Sequence, residues 1–161
     1  MLNVKNAEMA DLEQIMKIYR YAQDYMIKSG NPTQWGHFYP DADLIKSDID
    51  KNACKVIYDK DGIHGVFALF DGTEPTYEHI EGGNWLNEEP YLTIHRLAGD
   101  GQVHGLFPCA LNYCKKISLN IRVDTHADNK TMQRLIEKNG FIKCGTIYVT
   151  ARIAYQRAWR L

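Results

Sequence analysis

The sequence has little cysteine, and its cysteines are poorly spaced for metal or redox chemistry. The chain has four, at positions 54, 109, 114 and 144, and none of them forms a Cys-x-x-Cys pair. Structural zinc sites and redox motifs need closely spaced thiols, and small disulfide-bonded domains need many more cysteines. The pattern therefore predicts reduced thiols in a cytoplasmic protein, and no metal.

Long apolar runs and an excess of either charge are also missing. No stretch approaches the roughly 20 apolar residues of a membrane span, and charged residues occupy the N-terminal region where a signal peptide needs an apolar core. The formal net charge is −1, so no general basic field would attract nucleic acid. We therefore expect neither a membrane nor a nucleic acid as partner.

What is present indicates one mixed α/β domain over residues 1–161. Helical spacing of apolar residues predicts an amphipathic helix from Ala10 to Ser29 and a short second helix ending near Asn52. A turn at 60–62 indicates a hairpin of two strands. Strands at 91–98 and 119–125 are each followed by a helix, and strands at 144–150 and 152–159 close the chain. The order βααββ, βαβα, ββ includes one parallel strand–helix–strand crossover. The apolar residues of 73–90 show neither the period of a helix nor that of a strand.

A glycine-rich turn joins the strand at 91–98 to the helix behind it, and it reads "GDGQVHGLF" from Gly99 to Phe107. Unpaired amides at a helix N-terminus bind phosphates, and glycines let the backbone approach such a ligand. The turn matches neither a Walker loop nor the dinucleotide-binding fingerprint. From spacing alone, a phosphate site and a plain tight corner both remain open.

The chain as a whole resembles the GNAT superfamily of N-acetyltransferases. "RLAGDGQVHGLF" looks like the acetyl-coenzyme A loop of that superfamily, and "RVDTHADNKTMQRLIEKNGF" is similar to its following strand and helix. "GNPTQW" and "EPTYEHIEGGNWLNEEPY" look like segments of a bacterial branch of uncharacterised acetyltransferases. The resemblance implies the acyl-CoA N-acyltransferase fold, with a central mixed, twisted sheet of about seven strands, helices on both faces and a splayed parallel strand pair.

The resemblance also implies an enzyme of the acyltransferase class that moves an acetyl group from acetyl-CoA to a primary amine, by direct attack in a ternary complex. The residues implied for binding acetyl-CoA are Leu97, Ala98, Gly99, Gln102, Val103, His104, Gly105, Leu106, Phe107 and Asn129. The sequence departs from the family pattern in this loop, where Gln102 and His104 stand at positions that are often basic. Phe107 replaces a small residue, Pro108 removes an amide donor, and Asp100 adds a negative charge near the expected phosphates.

Two side chains are candidates for proton transfer. His95 titrates in the range useful for deprotonating an ammonium, and histidine occurs at this position in relatives. The alternative for His95 is a hydrogen-bonded structural histidine. The tyrosine that donates a proton in many relatives is replaced here by Ile136, and Tyr148 on the next strand is the candidate substitute, although packing is an equally simple role for it.

Two irregular segments supply candidate acceptor contacts. In the superfamily the connection between the first two helices covers the acceptor pocket, and the later loop at 73–90 is also aromatic. The candidate substrate contacts are Gln34, Trp35, Tyr39, Trp85 and Tyr91. The alternative is that these aromatic residues only anchor their loops, and that the acidic residues of the second loop are only solvated.

Two other functions compete with the enzyme. A catalytically silent GNAT-fold protein would bind CoA or a metabolite as a sensor, which the departures at Phe107, Pro108 and Ile136 favour. A protein-interaction domain is the other, because "RIAYQRAW" has the alternation of an edge strand through which a homodimer could form. The expected partner of the enzyme is a small-molecule or peptide amine.

Overall fold

The computed structural model describes residues 1–148 and 152–160. Backbone proximity divides the chain into two compact units. The first comprises 1–69 and 95–113, and the second comprises 70–94 and 114–161. The helices are α1 (Leu12–Lys28), α2 (Ala42–Asp50), α3 (Leu106–Lys115) and α4 (Lys130–Lys138). The strands are β1 (Asn3–Asn6), β2 (Cys54–Asp59), β3 (Gly62–Asp71), β4 (Ile80–Glu81), β5 (Leu92–Gly99), β6 (Asn120–Thr125), β7 (Ile142–Ile147) and β8 (Arg152–Ala158).

The first unit places its strands in the order β1-β2-β3-β5. β1 and β2 are antiparallel, and so are β2 and β3, which form the hairpin predicted around residues 60–62. β2 and β3 are almost wholly buried, with Val56, Ile57, Val66 and Phe67 at 0% exposure. Such near-continuous apolar runs are typical of strands that are covered on both faces.

Helix α1 covers the core of this unit with one apolar face, as its 3.6-residue period predicts. Ile15, Ile18 and Tyr19 are at most 1% exposed. Helix α2 adds Ile45 and Ile49 to the same cluster. The Asp41 carboxylate caps α2 by accepting a hydrogen bond from the Leu44 amide at 2.9 Å.

The second unit places its strands in the order β5-β6-β8-β7-β4. β5 and β6 pair in parallel at Leu92–Ile121 and Thr93–Arg122, as expected for a strand–helix–strand crossover. β8 is antiparallel to β6 on one side and to β7 on the other. The interpretation of β8 as an edge strand is therefore wrong, because its backbone groups on both sides are already paired within the chain.

Helix α4 begins and ends as its sequence predicts. The Asn129 side chain accepts a hydrogen bond from the Met132 amide at 3.0 Å and so caps the first turn. Gly140, with a φ of +82°, follows the last turn in the left-handed conformation that ends many helices.

The predicted fold class is confirmed: the described residues form a mixed α/β structure around one mixed sheet. The sheet has eight strands instead of about seven, because residues 73–90 contain β4 and a turn of 3-10 helix at Pro75–Tyr77. The final strands agree with the prediction within the described residues, although positions 149–151 lie outside them. No helix in 1–148 or 152–160 combines the length and the apolar character that a membrane crossing requires.

Candidate active-site regions

The glycine-rich turn lies in the first unit and leads from β5 into α3. Gly101 and Gly105 both have positive φ values, +75° and +85°. The Gln102 amide donates to the Asp100 carboxylate at 2.9 Å, and the Cys109 amide closes the first turn of α3 on the Gly105 carbonyl at 3.0 Å. Gln102, His104 and Gly105 are exposed. The turn thus reverses the chain with backbone conformations that glycine adopts easily.

The amides at the start of α3 are available to a ligand. Those of Val103, His104, Gly105 and Leu106 have no acceptor among the described residues. A Cβ at Gly105 would meet no atom within 4 Å, so the backbone there faces open space. Unpaired amides at a helix N-terminus carry partial positive charge, which suits an anionic group.

Asp100, which the sequence places in this turn as an isolated negative charge, is in an ion pair. Its Oδ2 lies 2.8 Å from Nδ1 of His64, and Nε2 of the same ring lies 3.0 Å from Oδ1 of Asp59. His64 is 7% exposed, and its hydrogen bond to Asp100 is the main cause that raises the pKa of the imidazole. The carboxylate that would oppose a phosphate is therefore neutralised by its neighbour when His64 is protonated.

Phe107 and Pro108 have different environments at the start of α3. Phe107 is 3% exposed, so its side chain is packed in the interior, whereas Pro108 is exposed. Proline in a first helical turn costs no intrahelical hydrogen bond, because that amide has no partner within the helix. The interior has room for the large side chain, and its amide still begins the helix.

The backbone of β5 is irregular at Arg96, whose φ is +54°. A residue in this conformation interrupts the pleat, so the regular alternation of side chains along β5 does not continue across Arg96. Its guanidinium pairs with the buried Asp48 carboxylate at 2.5 Å, and its carbonyl accepts the Tyr19 hydroxyl at 2.9 Å. These bonds tie β5 to α1 and α2.

The predicted residues of the first unit lie around this irregularity. His95 is half-buried on β5, directly before Arg96. Trp35 is 7% exposed and packs edge-on against Tyr19, with 5.7 Å between ring centroids. Tyr39 is 40% exposed, and its hydroxyl lies 3.3 Å from a guanidinium nitrogen of Arg96.

Gln34 is held by its own segment of the chain, because its side-chain oxygen accepts a hydrogen bond from Asn31 at 2.7 Å. The first unit thus contains Gln34, Trp35 and Tyr39 together with His95 and the residues predicted to bind acetyl-CoA from Leu97 to Phe107.

The other predicted residues belong to the second unit. Asn129 is 8% exposed and serves as the α4 cap. Tyr148 is 60% exposed and its hydroxyl donates to the Glu81 carboxylate, which raises the pKa of the phenol. Ile136, at the position of the missing tyrosine, is a core residue with 1% exposure.

Trp85 and Tyr91 line a cavity of about 380 Å³ within the second unit. The guanidinium carbon of Arg122, on β6, lies 4.2 Å from the Trp85 ring centroid and 4.0 Å from that of Tyr91. Tyr77 lies beneath Trp85, whose indole donates to the Tyr77 carbonyl at 2.9 Å. The complete lining is Thr73, Tyr77, Glu78, Ile80, Asn84, Trp85, Asn87, Glu88, Tyr91 and Arg122.

Buried amide side chains hold the loop that forms one wall of this cavity. Asn120 donates to the Asn87 side chain at 2.9 Å and to the Pro90 carbonyl at 3.1 Å. Gln156, which is 0% exposed, donates to Asn120 at 2.6 Å and accepts from the Leu86 amide at 2.8 Å. A satisfied buried network of this kind fixes a loop more rigidly than surface contacts do.

The structure is similar to solved structures over nearly its whole length. A GNAT family acetyltransferase from Streptococcus agalactiae 2603 is 29% identical with a TM-score of 0.91, covering 99% of this chain and 96% of that one. A structure from Staphylococcus aureus Mu50 is 27% identical with a TM-score of 0.71, covering 96% and 97%. The chain has the GNAT fold and is similar to GNAT family acetyltransferases over nearly its whole length. Its GNAT neighbours support acetyltransferase activity in general.

Other GNAT structures agree in fold at lower identity. An acetyltransferase of the GNAT family from Listeria monocytogenes 4b F2365 is 17% identical with a TM-score of 0.71, covering 98% and 95%. At this identity the likeness shows the fold alone. No protein-family model and no curated protein matches the sequence.

Sequence reasoning missed two residues that the structure brings to prominence, Arg122 and His64. Arg122 was one of them, although a charged residue between Ile121 and Val123 in an apolar strand was a usable signal. The pairing of His64 with Asp100 had no local signal, because 36 residues separate the two. Among the described residues, no group of three or more histidine, cysteine or acidic side chains is arranged to hold a metal.

Proposed function

We propose that this protein transfers the acetyl group of acetyl-CoA to a primary amine of a small molecule or peptide, by direct attack in a ternary complex. The observation that carries the proposal is the start of α3, where the amides from Val103 to Leu106 have no acceptor among the described residues. Such amides match the diphosphate of a CoA ester, and the GNAT fold supports this use of them.

The residues present fit acetyl-CoA. The main chain of Leu97, Ala98 and Gly99 would hold the pantetheine arm, and Asn129 would contribute a further hydrogen bond. The diphosphate would lie on the backbone of Gln102, Val103, His104, Gly105, Leu106 and Phe107. When His64 is protonated, its ion pair with Asp100 reduces the repulsion that this carboxylate would otherwise exert. Acetyl-CoA supplies a thioester carbonyl that an amine can attack.

His95 is the proposed base. An amine attacks only after its ammonium form has lost a proton, and a neutral imidazole can accept that proton directly or through water. His95 is half-buried on β5, two residues before Leu97. In the overall transfer the amine nitrogen bonds to the acetyl carbon, the carbon–sulfur bond breaks, and the sulfur leaves as a thiol after gaining a proton.

Tyr148 is the proposed donor of the proton that the sulfur gains. Its hydrogen bond to Glu81 raises its pKa, so the hydroxyl stays protonated at neutral pH. A phenol in that form is a donor and not a base. Tyr148→Phe should then lower kcat, whereas Tyr25→Phe, at another exposed tyrosine, should not.

The raised pKa values of two cysteine thiols are consistent with direct attack by the amine and with no acetyl-cysteine intermediate at these residues. Burial raises the pKa of Cys54 to about 12, and burial also raises the pKa of Cys144. Because the thiolate is the nucleophilic form, neither side chain is suited to carry an acetyl group at neutral pH.

The acceptor contacts proposed are Gln34, Trp35 and Tyr39 in the first unit and Trp85 and Tyr91 in the second. Tyr39 is the most exposed of the first group, and its hydroxyl is held by Arg96. Aromatic side chains with a polar tip suit a small ligand that has both apolar and polar parts.

The test begins with acetyl-CoA alone and continues with amines. We expect acetyl-CoA to raise Tm by mass action and to release free thiol in the presence of an accepted amine. His95→Ala should lower kcat at neutral pH and remove the near-neutral limb of the pH profile. His37→Ala, at an exposed histidine to which the proposal gives no role, is the control and should leave both unchanged. An unaltered pH profile in His95→Ala would remove His95 from the mechanism.

The sensor alternative gives a different pattern in the same assays. Pro108, which contributes no amide, is the feature of the loop that favours it. A rise in Tm with acetyl-CoA, but no thiol release with any amine, would identify a CoA-binding sensor. No rise in Tm at millimolar acetyl-CoA would contradict both functions.

A further inference from the structure

Arg122 is a buried cation with little compensation inside the protein. It is 5% exposed and lines the cavity of the second unit. Among the described residues, its Nη2 donates to the Asn87 carbonyl at 2.7 Å, and the Tyr91 side chain is a second hydrogen-bonding neighbour. Its Nε is buried and has no partner in the described part of the chain. A guanidinium has five N–H donors, which is more than these neighbours use.

No carboxylate of the described residues forms an ion pair with Arg122. Asp124, two residues along the same strand, lies 3.2 Å from Arg152 and accepts the Tyr77 hydroxyl at 2.7 Å. Glu78 and Glu88 line the cavity but are exposed, and neither forms a salt bridge with Arg122 in the described part of the chain.

Burial without a counter-charge is costly for a guanidinium. The two aromatic rings offset part of that cost through cation–π contacts. Desolvation by burial also lowers the pKa of Arg122, although arginine remains protonated at any physiological pH. The arrangement is thus electrostatically incomplete, and an anion entering the cavity would complete it.

The site is built before any ligand arrives. Trp85 and Tyr91 both lie against the guanidinium, and the Tyr91 hydroxyl accepts a hydrogen bond from the Glu74 amide at 2.9 Å. Asn120 and Gln156 fix the backbone of the same loop. A planar guanidinium in a fixed orientation is suited to bidentate recognition of a carboxylate.

We propose that this cavity binds the acceptor of the reaction and that the acceptor is a small molecule carrying a carboxylate as well as its amine, such as an amino acid. The carboxylate pairs with Arg122, and the exposed carboxylates of Glu78 and Glu88 favour the ammonium group. The identification of the occupant as the acceptor rests on the proposed function. The cavity volume of about 380 Å³ is at the small end for ligand sites and suits a molecule of this size.

The binding experiment uses the proteinogenic L-amino acids and, for each, the amine that lacks the carboxylate. Calorimetry measures affinity, and the ¹H–¹⁵N signal of the Arg122 Nε group, assigned by through-bond correlations in the wild type, reports contact at the site. We expect at least one amino acid to bind about tenfold or more tightly than its matched amine and to shift that signal. Arg122→Lys should abolish the preference because it loses the planar fork.

Arg157→Lys is the matched control. Arg157 also stacks on a tryptophan, 4.3 Å from the Trp159 centroid, but it does not line the cavity. This variant should keep the preference for the carboxylate. If Arg122→Lys does not fold, the signal of the wild-type Nε group alone decides. Equal affinity of every amino acid and its matched amine, or no shift of that signal with any amino acid, overturns the proposal.

Thiol release with acetyl-CoA separates this inference from the proposed function. Binding through Arg122 without thiol release would leave the carboxylate site standing and would contradict the acetyltransferase. Thiol release that is equally fast with an amino acid and its matched amine would support the acetyltransferase and overturn the carboxylate-bearing acceptor.

Discussion

Replacing Asp48 with asparagine removes the charge that faces Arg96 while it preserves the size of the side chain. The Asp48 side chain is 4% exposed and that of Arg96 is 11% exposed, and the two are 2.5 Å apart. Removing one partner of a buried ion pair leaves the other charge uncompensated, which costs about 3 kcal/mol. For a chain of this length, that loss corresponds to a fall in Tm of about 6 to 12 °C.

The assay is urea unfolding followed by circular dichroism, with a thermal scan of the same samples. Asp43→Asn is the matched control on the same helix, because its side chain is 93% exposed and its ion pair with Lys46 is a surface pair. That control should not change stability measurably.

A double replacement tests whether the loss of stability comes from the unpaired charge of Arg96. Asp48→Leu combined with Arg96→Met removes both charges, so we expect it to recover much of the stability lost in Asp48→Asn. If Asp48→Asn lowers the urea midpoint no further than Asp43→Asn does, the pair is not a buried charge pair and the reasoning fails.

Two further predictions concern a histidine and a glycine. The pKa of His64 is raised mainly by its hydrogen bond to Asp100, so its contribution to stability is complete below about pH 6.5 and is lost as the pH rises through the folded-state pKa. Urea unfolding across that window should show this loss in the wild type but not in His64→Gln, and parallel curves would contradict it. A Cβ at Gly83 would lie 1.9 Å from the Cys144 carbonyl oxygen, so Gly83→Ala should cost about 1 to 3 kcal/mol. Gly82→Asn, where no atom would lie within 4 Å of the new Cβ, should cost less, and equal losses in urea unfolding would refute the steric argument.

The local elements could be predicted because their signals are short-range. Three features depend on residues within a few positions of each other: the apolar period of α1, the turn of the β2–β3 hairpin and the Asn129 cap of α4. The two-residue strand β4 could not be predicted, because two residues cannot show a period. It exists because β7 offers it a partner.

The position of β8 illustrates a different limit. Alternation of apolar and polar residues reports which face of a strand is buried, but it does not report whether the two edges of the strand are paired. The sequence of β8 is therefore compatible with an edge or an interior place in the sheet. Because β8 pairs with β6 on one side and with β7 on the other, it is an interior strand of the sheet.

The same distinction applies to the candidate sites: some depend on consecutive residues and others on residues that are distant in sequence. The glycine-rich turn and the apolar strand before it could be found by inspection, since the relevant residues are consecutive. The stacking of Trp85 and Tyr91 on Arg122 could not, because residues more than 30 positions apart meet only when β6 pairs beside β5.

By itself, the sequence determined the order of the helices and of the strands other than β4, the caps of α4 and the presence of a glycine-rich turn before α3. Each follows from the conformational preferences of neighbouring residues. Only the tertiary structure decided that Arg96 faces Asp48, that His64 neutralises Asp100 and that Arg122 is buried without a carboxylate. Charge compensation depends on distance in space and on exclusion of water, and neither can be read from positions along the chain.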